Sequence, residues 1–422
     1  MRVLTASSPL LVVLACQQEP APAGHAPPLS EVPATVERVE RSAWLKAHQR
    51  SPADPQGEPP EEWSALEARI DPAACGTCHP AQYADWKESW HALGMGPGVI
   101  GQYLDWDGTD DKLVTKCNRC HAPLNEQQLR VKEGEEWVDN PHYVPERRGE
   151  GLTCAGCHVR SHVRHGPPSE REGLEADDSG RVGVGPHGGF VVHDEFQSSS
   201  FCESCHDFLS KSPEEALEGK RLQETTAEWR RTPQAAEGQT CQTCHMPDGR
   251  HTFKGVHDPD FVRAGVAVEA AIDAPGSWLA PVEAHLTVTN TGAAHRMPTY
   301  TTPEIKVFIE QVDESGEVID GSRHVGSIAR RVTPNLKKEL WDTRLLPGES
   351  YTLTYGQRRR LGAAALVARV EVWPDEAYRR FYEIKLRKPE NHEKGAELLR
   401  EALQNSIDSR YTLWEERLPL PD

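Results

Sequence analysis

Cys75-Gly76-Thr77-Cys78-His79 is the stretch on which the reading of this chain turns. Its pattern is two cysteines three positions apart with a histidine directly after the second. It returns four more times, as Cys117-Asn118-Arg119-Cys120-His121, Cys154-Ala155-Gly156-Cys157-His158, Cys202-Glu203-Ser204-Cys205-His206 and Cys241-Gln242-Thr243-Cys244-His245. Ten of the eleven cysteines are used in this way, and the eleventh is Cys16. A single turn with this spacing presents two sulfurs to one edge of a flat ring and an imidazole to its face. That is what covalent haem attachment requires: thioethers to the two vinyl groups and a histidine beneath the iron. Zinc asks for four ligands and no fixed histidine after the second cysteine. Disulfides between such close neighbours make poor staples. The spacing therefore predicts five covalently attached haem c groups, each with its iron, on these fifteen residues.

Outward from the motifs, the composition agrees. Only 37% of the 422 residues are hydrophobic, thin for a chain packed on side chains alone, and large planar groups would supply the missing interior. The formal net charge of −18 argues against nucleic acid and anionic lipid as partners and suits other redox proteins. At the N-terminus, Arg2 and the short apolar run Leu10-Leu11-Val12-Val13-Leu14 end at Ala15-Cys16, too short to span a membrane. This resembles a bacterial lipoprotein signal over 1–16, with a lipid on Cys16, and Gln17 resembles sorting to the outer membrane. The expected location is exported and lipid-anchored, periplasmic or at the outer membrane and cell surface. Residues 17–62 are rich in Pro and lack apolar periodicity, which reads as a disordered tether reaching on the order of 40 Å.

Residues 63–262 hold all the motifs and read as short helices and loops. The pattern then switches to period two, with Leu286 and Val288, Ile305, Val307 and Ile309, Tyr351, Leu353 and Tyr355, and Leu366, Ala368, Val370 and Val372. Turn signals such as Asn290-Thr291-Gly292 and Pro347-Gly348 separate these runs, which predicts a small immunoglobulin-like β-sandwich over 263–375. The tail, 376–422, reads as helical, with Asn391 as a helix cap. The expected fold class is thus α+β and multidomain: a mostly helical and loop pentahaem domain, then the sandwich, then a helical tail.

An iron with two imidazole ligands exchanges electrons only, whereas a five-coordinate iron can bind a substrate. The motif histidines His79, His121, His158, His206 and His245 give one ligand each. Ten more histidines lie between 79 and 300: His91, His142, His162, His165, His187, His193, His251, His257, His285 and His295.

Trp86-Lys87-Glu88-Ser89-Trp90-His91 resembles the segment after the first haem in the multihaem cytochrome c family of hydroxylamine oxidoreductase and its tetrahaem electron acceptor. So do Ser198 to His206 with Glu228-Trp229-Arg230, Gly238 to Pro247, and His251-Thr252-Phe253-Lys254-Gly255-Val256-His257. Asn290 to Thr299 resembles a Gly-His-x-x-Pro-Thr loop at the start of β-domains in relatives. The resemblance covers about 70–300. It implies distal ligands at His91, His187, His251, His257 and His295, with His162 and His165 as rivals, and it makes Met246 and Met297 packing residues. The leading expectation is an electron-transfer cytochrome rather than an enzyme. The alternative is a reductase or oxidase of a small nitrogen or sulfur compound at one five-coordinate haem.

Overall fold

The computed structural model describes residues 41–168, 180–183, 186–208, 221–277, 280–387 and 393–421. The leader, Cys16 and Asn391 lie outside the described residues. No helix among them is long and apolar enough to cross a membrane.

The N-terminal part is built from short helices held by caps rather than by long apolar faces. They are α1 (Ala43–His48), α2 (Pro72–Cys78), α3 (Pro80–Lys87), α4 (Pro97–Trp106), α5 (Asp111–His121), α6 (Cys154–His158), α7 (Ser200–His206), α8 (Thr225–Trp229), α9 (Pro233–Ala236), α10 (Cys241–His245) and α11 (Pro259–Gly265). The cap oxygens of Asp71 on α2 and Thr153 on α6 accept from Ala74 N at 3.0 Å and Gly156 N at 3.2 Å, fixing where the motif turns begin. Between the helices run a hairpin of β1 (Arg130–Glu133) and β2 (Glu136–Asp139), a small sheet of β3 (Val159–Arg160), β4 (Val163–Gly166), β5 (Arg181–Val182) and β6 (Phe190–Val192), and the pair β7 (Asp207–Phe208) with β8 (Gln223–Glu224). Apolar packing is sparse in this part. One cluster holds Ile70, Leu124, Ala155 and Val159, and another is centred on Met95, Tyr103, Val114 and Ala122.

The C-terminal part is different. The strands β9 (Val266–Ala274), β10 (Pro281–Asn290) and β14 (Ser350–Arg358) form one antiparallel sheet, in the order β14-β10-β9. A second, five-stranded sheet runs β13-β12-β11-β15-β16, from β11 (Glu304–Val312), β12 (His324–Val332), β13 (Glu339–Asp342), β15 (Ala365–Trp373) and β16 (Tyr411–Pro419). Alternate residues point to one shared core: Val282, Ala284, Leu286 and Val288 from β10, Ile305, Val307 and Ile309 from β11, and Leu366, Ala368, Val370 and Val372 from β15. Period-two burial on both sheets is what makes this unit a self-sufficient apolar core. Two helices, α12 (Glu376–Leu386) and α13 (Ala396–Asp408), leave the sheet after β15 and lie against α4.

Two expectations are corrected here. The tether was expected to run to residue 62, but α1 begins at Ala43, its Leu45 is 0% and its His48 4% exposed, and Gln56 N donates to buried Glu126. The proline content concealed a short amphipathic turn that docks on the body. The tail was expected to be helical to its end, but Tyr411–Pro419 is a strand paired antiparallel with β15. The apolar edge of β15 needs a partner, and Leu413 and Leu420 fill the core beside it.

Candidate functional site

Each motif ends a helix, so the last turn carries both thiols and the ring that follows. Several motif rings are oriented by their Nδ1 atoms. His121 Nδ1 lies 2.5 Å from Gly94 O, His158 Nδ1 2.8 Å from His165 O, and His245 Nδ1 2.6 Å from Lys254 O. A carbonyl can only accept, so Nδ1 carries the proton and Nε2 keeps its lone pair for a metal.

Three motif imidazoles face a histidine from outside the motifs. His206 and His91 have ring centroids 6.3 Å apart, His158 and His251 6.2 Å, and His245 and His295 6.4 Å. Two imidazoles on opposite sides of one metal, with bonds of about 2 Å and a ring radius of about 1.2 Å, would have centroids about 6.4 Å apart. The residues present therefore fit an iron between each pair. The outer rings are fixed in the same way as the motif rings: His251 Nδ1 to Gly249 O at 2.9 Å and His295 Nδ1 to Arg296 O at 2.9 Å. Burial lowers His91 to about 3 and His158, His206 and His295 to about 4, so all are neutral imidazoles near pH 7, the form that ligates.

The chain around these rings explains their placement. Trp86 Nε1 donates to Leu152 O at 2.8 Å and Leu152 N to His91 O at 2.9 Å, so the segment before His91 is clamped to the approach of the third motif. Gly151 sits at φ 71°, and a Cβ there would fall 2.4 Å from His91 O, so only glycine allows this approach. On the β side, Asn290 Nδ2 donates to His295 O at 3.0 Å and to Leu345 O at 3.0 Å, holding the loop that carries His295. Arg296 N donates to Glu228 Oε2 at 3.1 Å, and Arg344 Nη1 lies 3.3 Å from Glu228 Oε1, which joins the loop to α8.

His187 lies within electrostatic reach of His79, with its Nδ1 3.0 Å from Gly189 O and its backbone N donating to Glu67 at 3.0 Å. His257 departs from expectation. Its Nε2 is 2.9 Å from Asp375 Oδ2 and its face stacks on Trp90 at 3.7 Å, so the nitrogen that would ligate is engaged by a carboxylate. Among the described residues the ring pairs at this spacing involve the motif histidines His158, His206 and His245, and His79 and His121 are in none of them. His162 Nε2 is bonded to Gly57 O at 3.0 Å, and His165 serves through its carbonyl, as the acceptor for His158. Met95 and Met297 are packed in apolar clusters.

Thiols of different motifs come together. Cys75 lies within hydrogen-bonding reach of Cys154, Cys120 of Cys205, and Cys202 of Cys241. Cys157 is in electrostatic reach of Cys202 and Cys205. The first motif thus adjoins the third, and the fourth adjoins the second, third and fifth. Cys78 and His79 are exposed, which puts the first motif at the surface.

Sequence reasoning missed the α1 contribution. Trp44 is sandwiched between His48 at 4.5 Å and His193 at 3.6 Å, and His48 Nε2 donates to Cys157 O at 2.7 Å. Beside this stack, Phe196 lies parallel to the ring of His158 at 4.9 Å. The available signal was Ser42, whose side chain caps α1 through Leu45 N, followed by Trp44, Leu45 and His48 at helical spacing.

No family model matches the chain, and no curated protein does. Among solved structures, a penta-heme cytochrome c552 from Thermochromatium tepidum is similar over 84% of this chain and 100% of that chain, with a TM-score of 0.55 and 18% sequence identity. At that identity the likeness is one of fold, and it spans the motif-bearing part and the two sheets alike.

Proposed function

We propose that the chain is a multihaem c-type cytochrome that transfers electrons along five covalently attached haem c groups, one on each Cys-x-x-Cys-His motif. The observation that carries this is the set of three ring pairs, each joining a motif histidine to a distant one at 6.2–6.4 Å. Chance packing does not repeat the spacing of two trans ligands three times. The fold of the penta-heme cytochrome c552 supports the same reading. His187, within electrostatic reach of His79, would be the distal ligand of the first site. When bound, the haems supply one-electron couples. The chain's own residues ligate, space and bury them. The thiol contacts set the order: first to third to fourth, with branches from the fourth to the second and the fifth. The immunoglobulin-like sandwich would act as the carrier of His295. Lipidation at Cys16, export to the periplasm or outer membrane and redox-protein partners belong to the same proposal. Intact mass after cytochrome c maturation should exceed the processed chain by five haems, and four or fewer at full maturation would count against one motif.

One observation favours a second reading for a single site. His257, one of the five expected distal ligands, has its Nε2 on Asp375, which leaves His121 without an expected counterpart, so the haem on His121 would keep an open position, the site of a reductase or oxidase of a small nitrogen or sulfur compound. The oxidised protein should then show one high-spin iron, and the reduced protein should bind one carbon monoxide. His257→Ala should leave the low-spin count unchanged, whereas His257 as the ligand opposite His121 would leave the wild type without high-spin iron and give that variant its first.

A further inference from the structure

The helix that follows the first motif, α3, has no buried residue of its own. Two adjacent side chains anchor it, and both reach the third site. Trp86 Nε1 donates to Leu152 O at 2.8 Å, on the approach to Cys154. Asp85 accepts from the backbone N of His251 at 3.0 Å. It also accepts from Arg250, from Nε at 2.7 Å and from Nη2 at 2.5 Å. His251 is the imidazole that faces His158 of the third motif. One helix from the first motif thus meets the third site at its attachment turn and at its outer ring. The loop that carries His251 is closed at its base, where His245 Nδ1 donates to Lys254 O at 2.6 Å. Within it, Asp248 at φ 55° and Phe253 at φ 45° hold left-handed backbone conformations that side chains resist. A loop strained on both flanks of His251 relaxes unless something outside holds it.

We propose that Asp85 is a positioning residue for the third haem, holding the backbone of His251 at the distance from His158 that two ligands of one iron require. The proposal rests on the reading of His251 as a distal ligand. The Asp85 side chain is only 7% exposed, so its carboxylate needs partners. Arg250 is 59% exposed and can swing into solvent, and an ion pair of that kind holds little. The backbone N of His251 cannot swing away, so this contact fixes the loop. The bond from His251 Nδ1 to Gly249 O turns the ring within the loop, and Asp85 sets where the loop stands. Phe253 lies edge-on to His251 at 5.7 Å and 4.3 Å from the ring of His91, so it is placed by the same hold. In the proposed order the first site passes electrons to the third. The donor's own helix therefore fixes the outer ligand of its acceptor.

Carbon monoxide binding to the reduced holoprotein and paramagnetic resonance of the oxidised one test this. Asp85→Ala should let carbon monoxide displace His251, so that one equivalent more binds than in the wild type. It should also shift the low-spin resonance of one haem, because the 35° angle between the His158 and His251 rings is no longer fixed. Asp85→Asn keeps an oxygen for the backbone N of His251 and should behave as the wild type in both measurements. Arg250→Ala should do the same. All variants should keep five haems by mass. Should Asp85→Ala fail to mature, Asp85→Ser, polar but too short to reach His251, is read in its place. If the short variant binds no extra carbon monoxide and keeps every resonance, the role of Asp85 is overturned. If Asp85→Asn behaves like the short variant, charge rather than the hold on His251 is at work, and the proposal is again overturned. His251→Ala separates this from the ligation itself: one new high-spin iron leaves the ligand reading standing whatever Asp85 does. If His251→Ala gains none, that reading fails and the proposal with it.

Discussion

Glu228 shows how one side chain joins the two parts of this protein. Its carboxylate is 5% exposed and faces Arg344, which is 1% exposed. Burial pushes Glu228 up to about 7 from an ordinary 4.5, while Arg344 and Arg296 pull the other way. The folded state therefore holds a proton that the unfolded chain has already released. The group's contribution to stability is full below about 4.5 and declines as the pH rises through about 7. Between pH 5 and 8 the wild type should lose up to about 3 kcal/mol relative to Glu228→Gln, whose side chain does not titrate. Denaturant midpoints of the two proteins across that range test this, and parallel curves would refute it. At this scale the sequence was partly legible. Attachment residues are local, so Cys-x-x-Cys-His can be read without a structure. Facing imidazoles are not local: His91 meets His206 and His251 meets His158 only after folding, and His257, in a like sequence context, is taken by Asp375.

Among the elements, α4 and the start of α13 approach each other backbone to backbone. A Cβ on Gly395 would fall 1.7 Å from the carbonyl oxygen of Gly101, and one on Gly101 would fall 3.1 Å from Gly395 O. The obstacle is backbone, which cannot swing aside. Gly395→Ala should therefore lower stability by about 2 kcal/mol, the range of overpacked cores. Thermal unfolding measures it, and an unchanged midpoint would mean that the two helices separate freely. The legibility of elements followed the same logic as that of residues. β10 and β15 largely alternate in burial, β11 carries Ile305, Val307 and Ile309 at period two in its sequence while being buried along nearly its whole length, and all three were expected. β16 was not, because Glu415, Glu416 and Arg417 interrupt its apolar face, and its conformation is set by the waiting edge of β15. The α1 turn was hidden by the prolines on either side of it.

Across the whole molecule, apolar packing is unequal. The two sheets share one continuous core, while the motif-bearing part has small clusters such as Ile70, Leu124, Ala155 and Val159. A region packed so thinly depends on large planar groups for its interior. The chain produced without haem attachment should fold only in its C-terminal part. Amide exchange should find protection in β9 to β15 and β16 and little over 63–262. Strong protection across 63–262 in that apoprotein would show that side chains suffice.

The position of β16 also has a consequence in time. Synthesis delivers the chain from its N-terminus, so Tyr411 to Leu420, which close the edge of β15, follow every other strand of the two sheets. Until they emerge, the five-stranded sheet lacks a member and its core lies open beside Leu366 and Val370. All five motifs, ending at His245, have by then been made. A chain at that stage therefore carries complete motifs beside an unclosed sheet, while Asn290 and Glu228 can already hold the loop that bears His295.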